Sequence, residues 1–404
     1  MLKITKISTA VLIFYILFYT QVWGDKHLIL YGSAAVTVLS VAIHCIHAGS
    51  LEYGRVPYGI WNNLILVFYA VVTGFFVAVD FMTTLRMSIT LLAFATVCIA
   101  MCYVSSVEGS FEWILKILIA LALTCSFFTL FRGTEWSGYG VTMSAINNPH
   151  NLAAVLNLGL FSVTFLPRQK ERKFSLISVA LVLLFFIVTI RCGSRKYLLA
   201  SALVVGIWAW AVVIEGWKSG DSNRRTITVF LLIAFIGAAF YIIRNVYLGS
   251  DSYQRMQDKM DTGSQSRILF YEKAWEIFLK HPIFGGGLDQ FKYLSGTGSY
   301  AHSTYAEALA DFGFVGCVLY FTPIIATTCR IIGRVLKPDR NYSDYLLLAF
   351  CLSQLFIGTM QIFFMEFHLF LVWSILFFYE RKPMESTSEN LPVQQYAQRW
   401  KYIR

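Results

Sequence analysis

Three cations crowd into six residues at Arg191-Cys192-Gly193-Ser194-Arg195-Lys196, a short turn between two long apolar runs. A fourth, Arg267, opens a later stretch, and Tyr300-Ala301-His302-Ser303-Thr304-Tyr305-Ala306-Glu307 lies beyond it, with Asp311 one helical turn further on. Guanidinium groups grip phosphates and carboxylates through paired hydrogen bonds. Imidazole titrates near neutrality and can take or return a proton there. The chemistry these residue types allow is therefore a held anion with a base beside it. The competing reading of the cationic turn is an acidic protein partner; no carboxylate lies within the turn itself, which favours the anion. His302 and Glu307 are five positions apart, about 140° on an ideal helix, so they share a face only if His302 sits in the cap or the turn before it. For Asp311, helix packing and a polar contact to the ligand both stand as readings.

The elements that must position these groups are membrane spans. Of the 404 residues 57% are hydrophobic and 14% charged, with a mean hydropathy of +0.61, whereas a soluble chain carries about 25% charged residues. Apolar runs fall near 7–23, 27–46, 60–80, 85–105, 113–131, 151–166, 174–190, 197–216, 226–243, 304–329, 345–364 and 365–379. Each is of the order needed to cross about 30 Å of hydrocarbon as helix. The expected fold is all-α: a polytopic membrane protein with about twelve transmembrane helices in one domain over 1–404. One large outer loop, 244–303, carries amphipathic helices and the candidate motifs, and a tail follows at 381–404. This composition excludes a cytosolic enzyme, a secreted disulfide scaffold and a DNA-binding regulator. Lys3 and Lys6 precede the first run as in a signal peptide, but no small-x-small cleavage site follows, so it reads as a retained span. The cysteines lie in or beside apolar runs without metal-ligand spacing and read as small core residues.

The net charge of +10 serves topology rather than nucleic-acid binding. With the N-terminus inside, the inner segments hold nineteen Lys and Arg and the short outer ones six, the long loop being set aside. That bias places both termini in the cytoplasm. Arg191, Arg195 and Lys196 then fall outside, where cations are disfavoured, and something there must compensate them.

In the long loop, Ile268, Tyr271, Trp275, Phe278 and Leu279 recur at helical steps, so Ser266-Arg267 is expected to open an amphipathic helix. Ser264 or Ser266 can cap it, Pro282 stops it and Gly285-Gly286-Gly287 turns the chain. Its apolar face is expected on the membrane surface or on the bundle. Asn147-Asn148-Pro149-His150-Asn151 enters the sixth span as an amide-rich cap, with Asn151 or His150 available to a polar ligand. Lys116, His44, Glu366 and His368 are costly groups inside spans that need partners; no reaction is read from them.

These motifs together resemble the signature of the bacterial O-antigen polymerase and O-antigen ligase superfamily. The match lies in Arg267 with its helix, His281-Pro282-Ile283-Phe284-Gly285-x-Gly287, and His302-Ser303-x-Tyr305-x-Glu307-x5-Gly313-x2-Gly316. Upstream, Gly193-Ser194-Arg195 is similar to the family's Ser/Gly-Arg motif. Asn148-Pro149-His150-Asn151 is similar to its Asn-Pro-Asn segment, with His150 inserted as a departure. The motifs cover roughly 145 to 320, each weak alone and more specific in this order on one face.

The resemblance implies a glycosyltransferase of the bacterial inner membrane with its site on the periplasmic face. Its donor is a glycan linked through diphosphate to undecaprenol, with no cofactor and no metal. Arg195 and Arg267 would hold the departing diphosphate, assisted by Arg191 and Lys196. His302 would take the proton of an acceptor hydroxyl attacking with inversion, and Glu307 would orient that imidazole or bind sugar hydroxyls. Asn151, Asp311 and Tyr305 join as substrate contacts. The acceptor is another lipid-linked repeat unit in a polymerase or lipid A-core in a ligase, and the His-Ser-x-Tyr-x-Glu form favours the polymerase. A chain-length regulator and membrane lipids are the implied partners, and no nucleic acid. A flippase of the same lipid-linked substrate is the third reading; against it, the polar residues gather at one face rather than in repeat-related broken spans.

Overall fold

The computed structural model describes residues 2–14, 27–47, 56–107, 111–131, 134–137, 140–143, 149–169, 176–218, 264–337, 342–362 and 366–381, with a few single residues between them. In chain order these form helices α1 (Leu2–Phe14), α2 (His27–His47), α3 (Tyr58–Val77), α4 (Phe81–Val107) and α5 (Glu112–Phe131). Strands β1 (Thr134–Ser137) and β2 (Gly140–Met143) follow, then α6 (Pro149–Gln169), α7 (Leu176–Arg191) and α8 (Arg195–Lys218). The last group is α9 (Ser264–Lys280), α10 (Phe291–Leu294), α11 (Thr304–Val335), α12 (Tyr342–Gly358) and α13 (Phe367–Arg381). The fold is all-helical as expected, and the two short strands add one small hairpin to it. They pair antiparallel, Thr134 opposite Met143 and Ser137 opposite Gly140, in a stretch whose Thr134, Trp136, Val141 and Thr142 are strand formers.

By length and apolar composition α3, α4, α5 and α11 can each cross a membrane, and six shorter apolar helices accompany them. The run expected at 226–243 and most of 244–263 lie outside the described residues, as do Asn147, Asn148 and the tail beyond 381. Small residues bring the helices close. Gly159 of α6 lies directly against Ala122 of α5, and Gly74 of α3 against the Thr84 side chain of α4. Phe161 of α6 stacks on Phe350 of α12, with centroids 3.9 Å apart and planes 10° from parallel. A buried aromatic layer of this kind adds about 0.5–1.5 kcal/mol beyond the area it buries.

The expected boundary between the last two runs is corrected. The helix predicted over 345–364 stops at Gly358, and the next starts at Phe367. Gln361 and Glu366 therefore stand in a connecting loop rather than inside spans.

A break in α11 shapes one end of the helices. Gly313, at φ 61° and ψ −164°, interrupts the helix. In an unbroken helix the N–H groups of Phe314 and Val315 would donate to the carbonyls of Ala310 and Asp311. Here they donate instead to Pro282 and Ile283 at 2.8 and 3.1 Å, and the freed carbonyls of Ala310 and Asp311 accept from Gly286 and Gly287 at 2.8 and 2.9 Å. Two internal bonds are thus exchanged for four cross-links, and the glycine turn is stitched to the helix. Tyr69 of α3 closes the joint by donating its hydroxyl to the Phe312 carbonyl at 2.8 Å.

α9 packs through Phe270, Ala274 and Ile277 onto Ala301 and Ala310. The stripe read from the sequence, Ile268, Tyr271, Trp275 and Leu279, is its exposed face. The inward face escaped the pattern because alanine contributes little to it.

Candidate active site

The turns that carry the candidate residues meet at one end of the helices, and hydrogen bonds tie them together. Gln290 binds the Asp80 N–H and carbonyl between α3 and α4, each at 2.9 Å. His150 Nδ1 of α6 shares a hydrogen bond with Ser194 Oγ at 2.8 Å. The Thr304 N–H donates to the Gln361 carbonyl at 3.0 Å. The Asn-Pro-His-Asn and Gly-Ser-Arg motifs are thereby in direct contact through His150, the residue that departs from the family pattern.

In the cationic turn, Gly193 takes φ 69°, a left-handed conformation natural to glycine. This lets α7 end and α8 begin within three residues. Arg191 is exposed, and Arg195 and Lys196 are half-buried. The Lys196 charge acts on His302 together with that of Arg267, and Glu366 and Arg267 act in turn on Lys196. Among the described residues Arg195 makes no hydrogen bond or ion pair.

Ser303 caps α11 through its side chain, and His302 sits in the turn just before the cap, where the sequence required it. Its φ of 55° is left-handed, a conformation costing a non-glycine residue about 1–3 kcal/mol unless its surroundings fix it. They do. Glu307, 1% exposed, accepts the N–H of Ala301 on a carboxylate oxygen, while its Oε1 has no hydrogen-bond partner among the described residues. Glu307 thus holds the backbone ahead of the imidazole rather than the imidazole itself. The ring lies between Tyr300 and Phe270, with centroids 4.2 and 5.6 Å away. Burial, then the charges of Arg267 and Lys196, hold its pKa below the ordinary histidine value. The imidazole is neutral at neutral pH, as a base must be.

Two expected substrate contacts are engaged within the protein. Both carboxylate oxygens of buried Asp311 accept backbone N–H groups, from Asp289 at 2.8 Å and Phe291 at 3.1 Å, so it fixes the loop below the glycine turn. Tyr305 donates its phenol to the Leu355 carbonyl at 2.9 Å and stacks on Phe321. Asn151 is half-buried in the first turn of α6.

Sequence reasoning put Glu366 with His368 near the last outer turn and read no reaction from it. The structure puts it in the loop before α13, beside a buried chain. Gln361 Oε1 accepts the Tyr197 hydroxyl at 2.9 Å. The single Tyr197 proton being spent, His368 Nε2–H must donate to the phenol oxygen at 2.7 Å. That leaves His368 Nδ1 unprotonated on the side of Glu366 Oε2, at 3.7 Å. The signal was available: an ionisable pair at Glu366 and His368 has to find partners. Among the described residues no three His, Cys, Asp or Glu side chains gather as metal ligands.

A mouth with two cations, a neutral imidazole and a carboxylate can bind an anionic leaving group and remove a proton beside it. Residues 179–321 match the family model described as O-antigen ligase. The match runs from α7 through the cationic turn, α9 and the His302 segment, and over this stretch the chain is similar to the O-antigen polymerase and ligase superfamily. No curated protein matches the chain.

Proposed function

We propose that the protein polymerises O-antigen or capsular polysaccharide at the periplasmic face of the bacterial inner membrane, both termini being cytoplasmic. It transfers an undecaprenyl-diphosphate-linked glycan to the non-reducing end of another lipid-linked repeat unit, with inversion and without metal. What supports this reading is the family match over the segment that holds the cationic turn, Arg267 and His302, together with the position of His302 just before the cap of α11. The acceptor hydroxyl attacks the anomeric carbon as its proton passes to His302. The bond from that carbon to the diphosphate oxygen breaks with its electron pair staying on oxygen, and the cations offset the charge released. Arg191 and Arg195 supply further positive charge at the rim. A chain-length regulator is the expected partner.

A second reading, transfer to lipid A-core, draws on the description of the matching family model. A gel of lipopolysaccharide from a deletion strain separates them. One repeat on each core indicates a polymerase; bare core with long chains retained on the carrier lipid indicates a ligase. Purified protein given undecaprenyl-diphosphate repeat units in EDTA is expected to lengthen them, and activity only after magnesium is restored defeats the cation-based account.

A further inference from the structure

The base has company that the chemistry above leaves unused. Tyr300 stands directly against His302, with centroids 4.2 Å apart and planes tilted by 50°. It is 45% exposed, and its hydroxyl makes no hydrogen bond among the described residues. This closeness is built. Glu307 pins the Ala301 N–H between the two residues, and the left-handed turn at His302 folds the two side chains toward each other. Phe270 covers the other side of the imidazole, so the histidine meets its substrate by its ring edge while Tyr300 offers an open aromatic surface alongside. The exposed ring suits one kind of molecule. A pyranose presents apolar C–H faces and a rim of hydroxyls, matched by an aromatic surface and by hydrogen-bond acceptors respectively.

We propose that Tyr300 is the stacking platform for the acceptor sugar, holding the pyranose whose hydroxyl faces His302. This rests on the transfer reading above and adds the subsite that positions the nucleophile. No bond is made or broken at Tyr300.

The test measures binding without turnover. The probe is the repeat-unit oligosaccharide released by mild acid from carrier lipid accumulating in a deletion strain, and its affinity is read by saturation-transfer NMR on the full-length protein in nanodiscs. Tyr300→Leu keeps an apolar side chain but removes the ring, and it is expected to weaken the oligosaccharide about tenfold, a factor of the size an aromatic contact supplies. Tyr300→Phe is expected to restore binding. Geranyl diphosphate, a probe of the leaving group alone, is expected to bind wild type and Tyr300→Leu equally, which also reports that the mouth is folded. Equal oligosaccharide affinity in wild type and Tyr300→Leu overturns the proposal. So does a parallel loss of geranyl diphosphate, or failure of the wild type to bind the oligosaccharide. The predicted binding pattern in a protein that transfers nothing would support the platform and sink the transfer reading instead.

Discussion

Gly285 and Gly313 lie backbone against backbone, so that a Cβ at either would overlap the main-chain atoms of the other. Both have positive φ, 74° and 61°. The exchange of helix bonds for cross-links around Gly313 needs this approach, and the exchange sets the glycine turn and the His302 segment in one frame. Gly313→Ala is expected to cost more than the roughly 1–3 kcal/mol of backbone strain alone, because the overlap adds to it. Gly296 supplies the comparison: its φ is 68° but a Cβ there meets nothing within 4 Å. Thermal unfolding in nanodiscs should show Gly313→Ala falling well below Gly296→Ala, and equal midpoints would mean the close approach does not exist.

Glu307 is expected to act through geometry rather than proton transfer. A glutamine there still has an oxygen to accept the Ala301 N–H, whereas alanine has none. Glu307→Gln should keep most activity, while Glu307→Ala should lose about a hundredfold in kcat, as small displacements of reacting groups do, with KM little changed. A dead glutamine variant with normal folding would assign Glu307 a proton instead.

The legible part of this site was whatever charge and periodicity advertise. His302 before its cap, the glycine turn after Pro282 and the start of α9 all follow from residue type and spacing. Two features did not show. Glu366 was placed near the last outer turn but carried no reading, since its neighbours come from other turns of the fold. The tasks of Asp311 and Tyr305 were invisible because their partners are backbone groups at Asp289, Phe291 and Leu355, and backbone carries no sequence signal.

The charges around His302 give a signed pH dependence. Its pKa is lowered by burial and then by Arg267 and Lys196. A base must be neutral, so activity should persist as pH falls past the usual histidine value of about 6.5 and decline only in more acidic solution. Lys196→Gln removes one of the two charges, which raises the histidine pKa, and the acid limb of kcat/KM should move upward toward that value. A limb that stays put in the variant would separate Lys196 from the imidazole.

No described residue covers the outward stripe of α9. Ile268, Trp275 and Leu279 are each more than half exposed at 54%, 53% and 60%, and the following turn adds Ile283 and Phe284 at 57% and 51%. The Tyr69 hydroxyl lies 3.2 Å from the Phe284 carbonyl, so the turn adjoins α3, whose Phe75 and Phe76 are also exposed. Exposed apolar side chains are thus found on both a span-length helix and α9. An interfacial helix sinks such a face about 5–10 Å into the boundary between headgroups and acyl chains. That depth would set Arg267, at the start of the same helix, level with lipid phosphates, where a carrier-lipid diphosphate also lies. Nanodiscs of lipids brominated near the headgroup should quench Trp275, measured as the difference between wild type and Trp275→Phe because the chain has ten tryptophans. Lipids brominated near the bilayer centre should quench it less. Equal quenching by both, or none, would place the face away from the membrane surface.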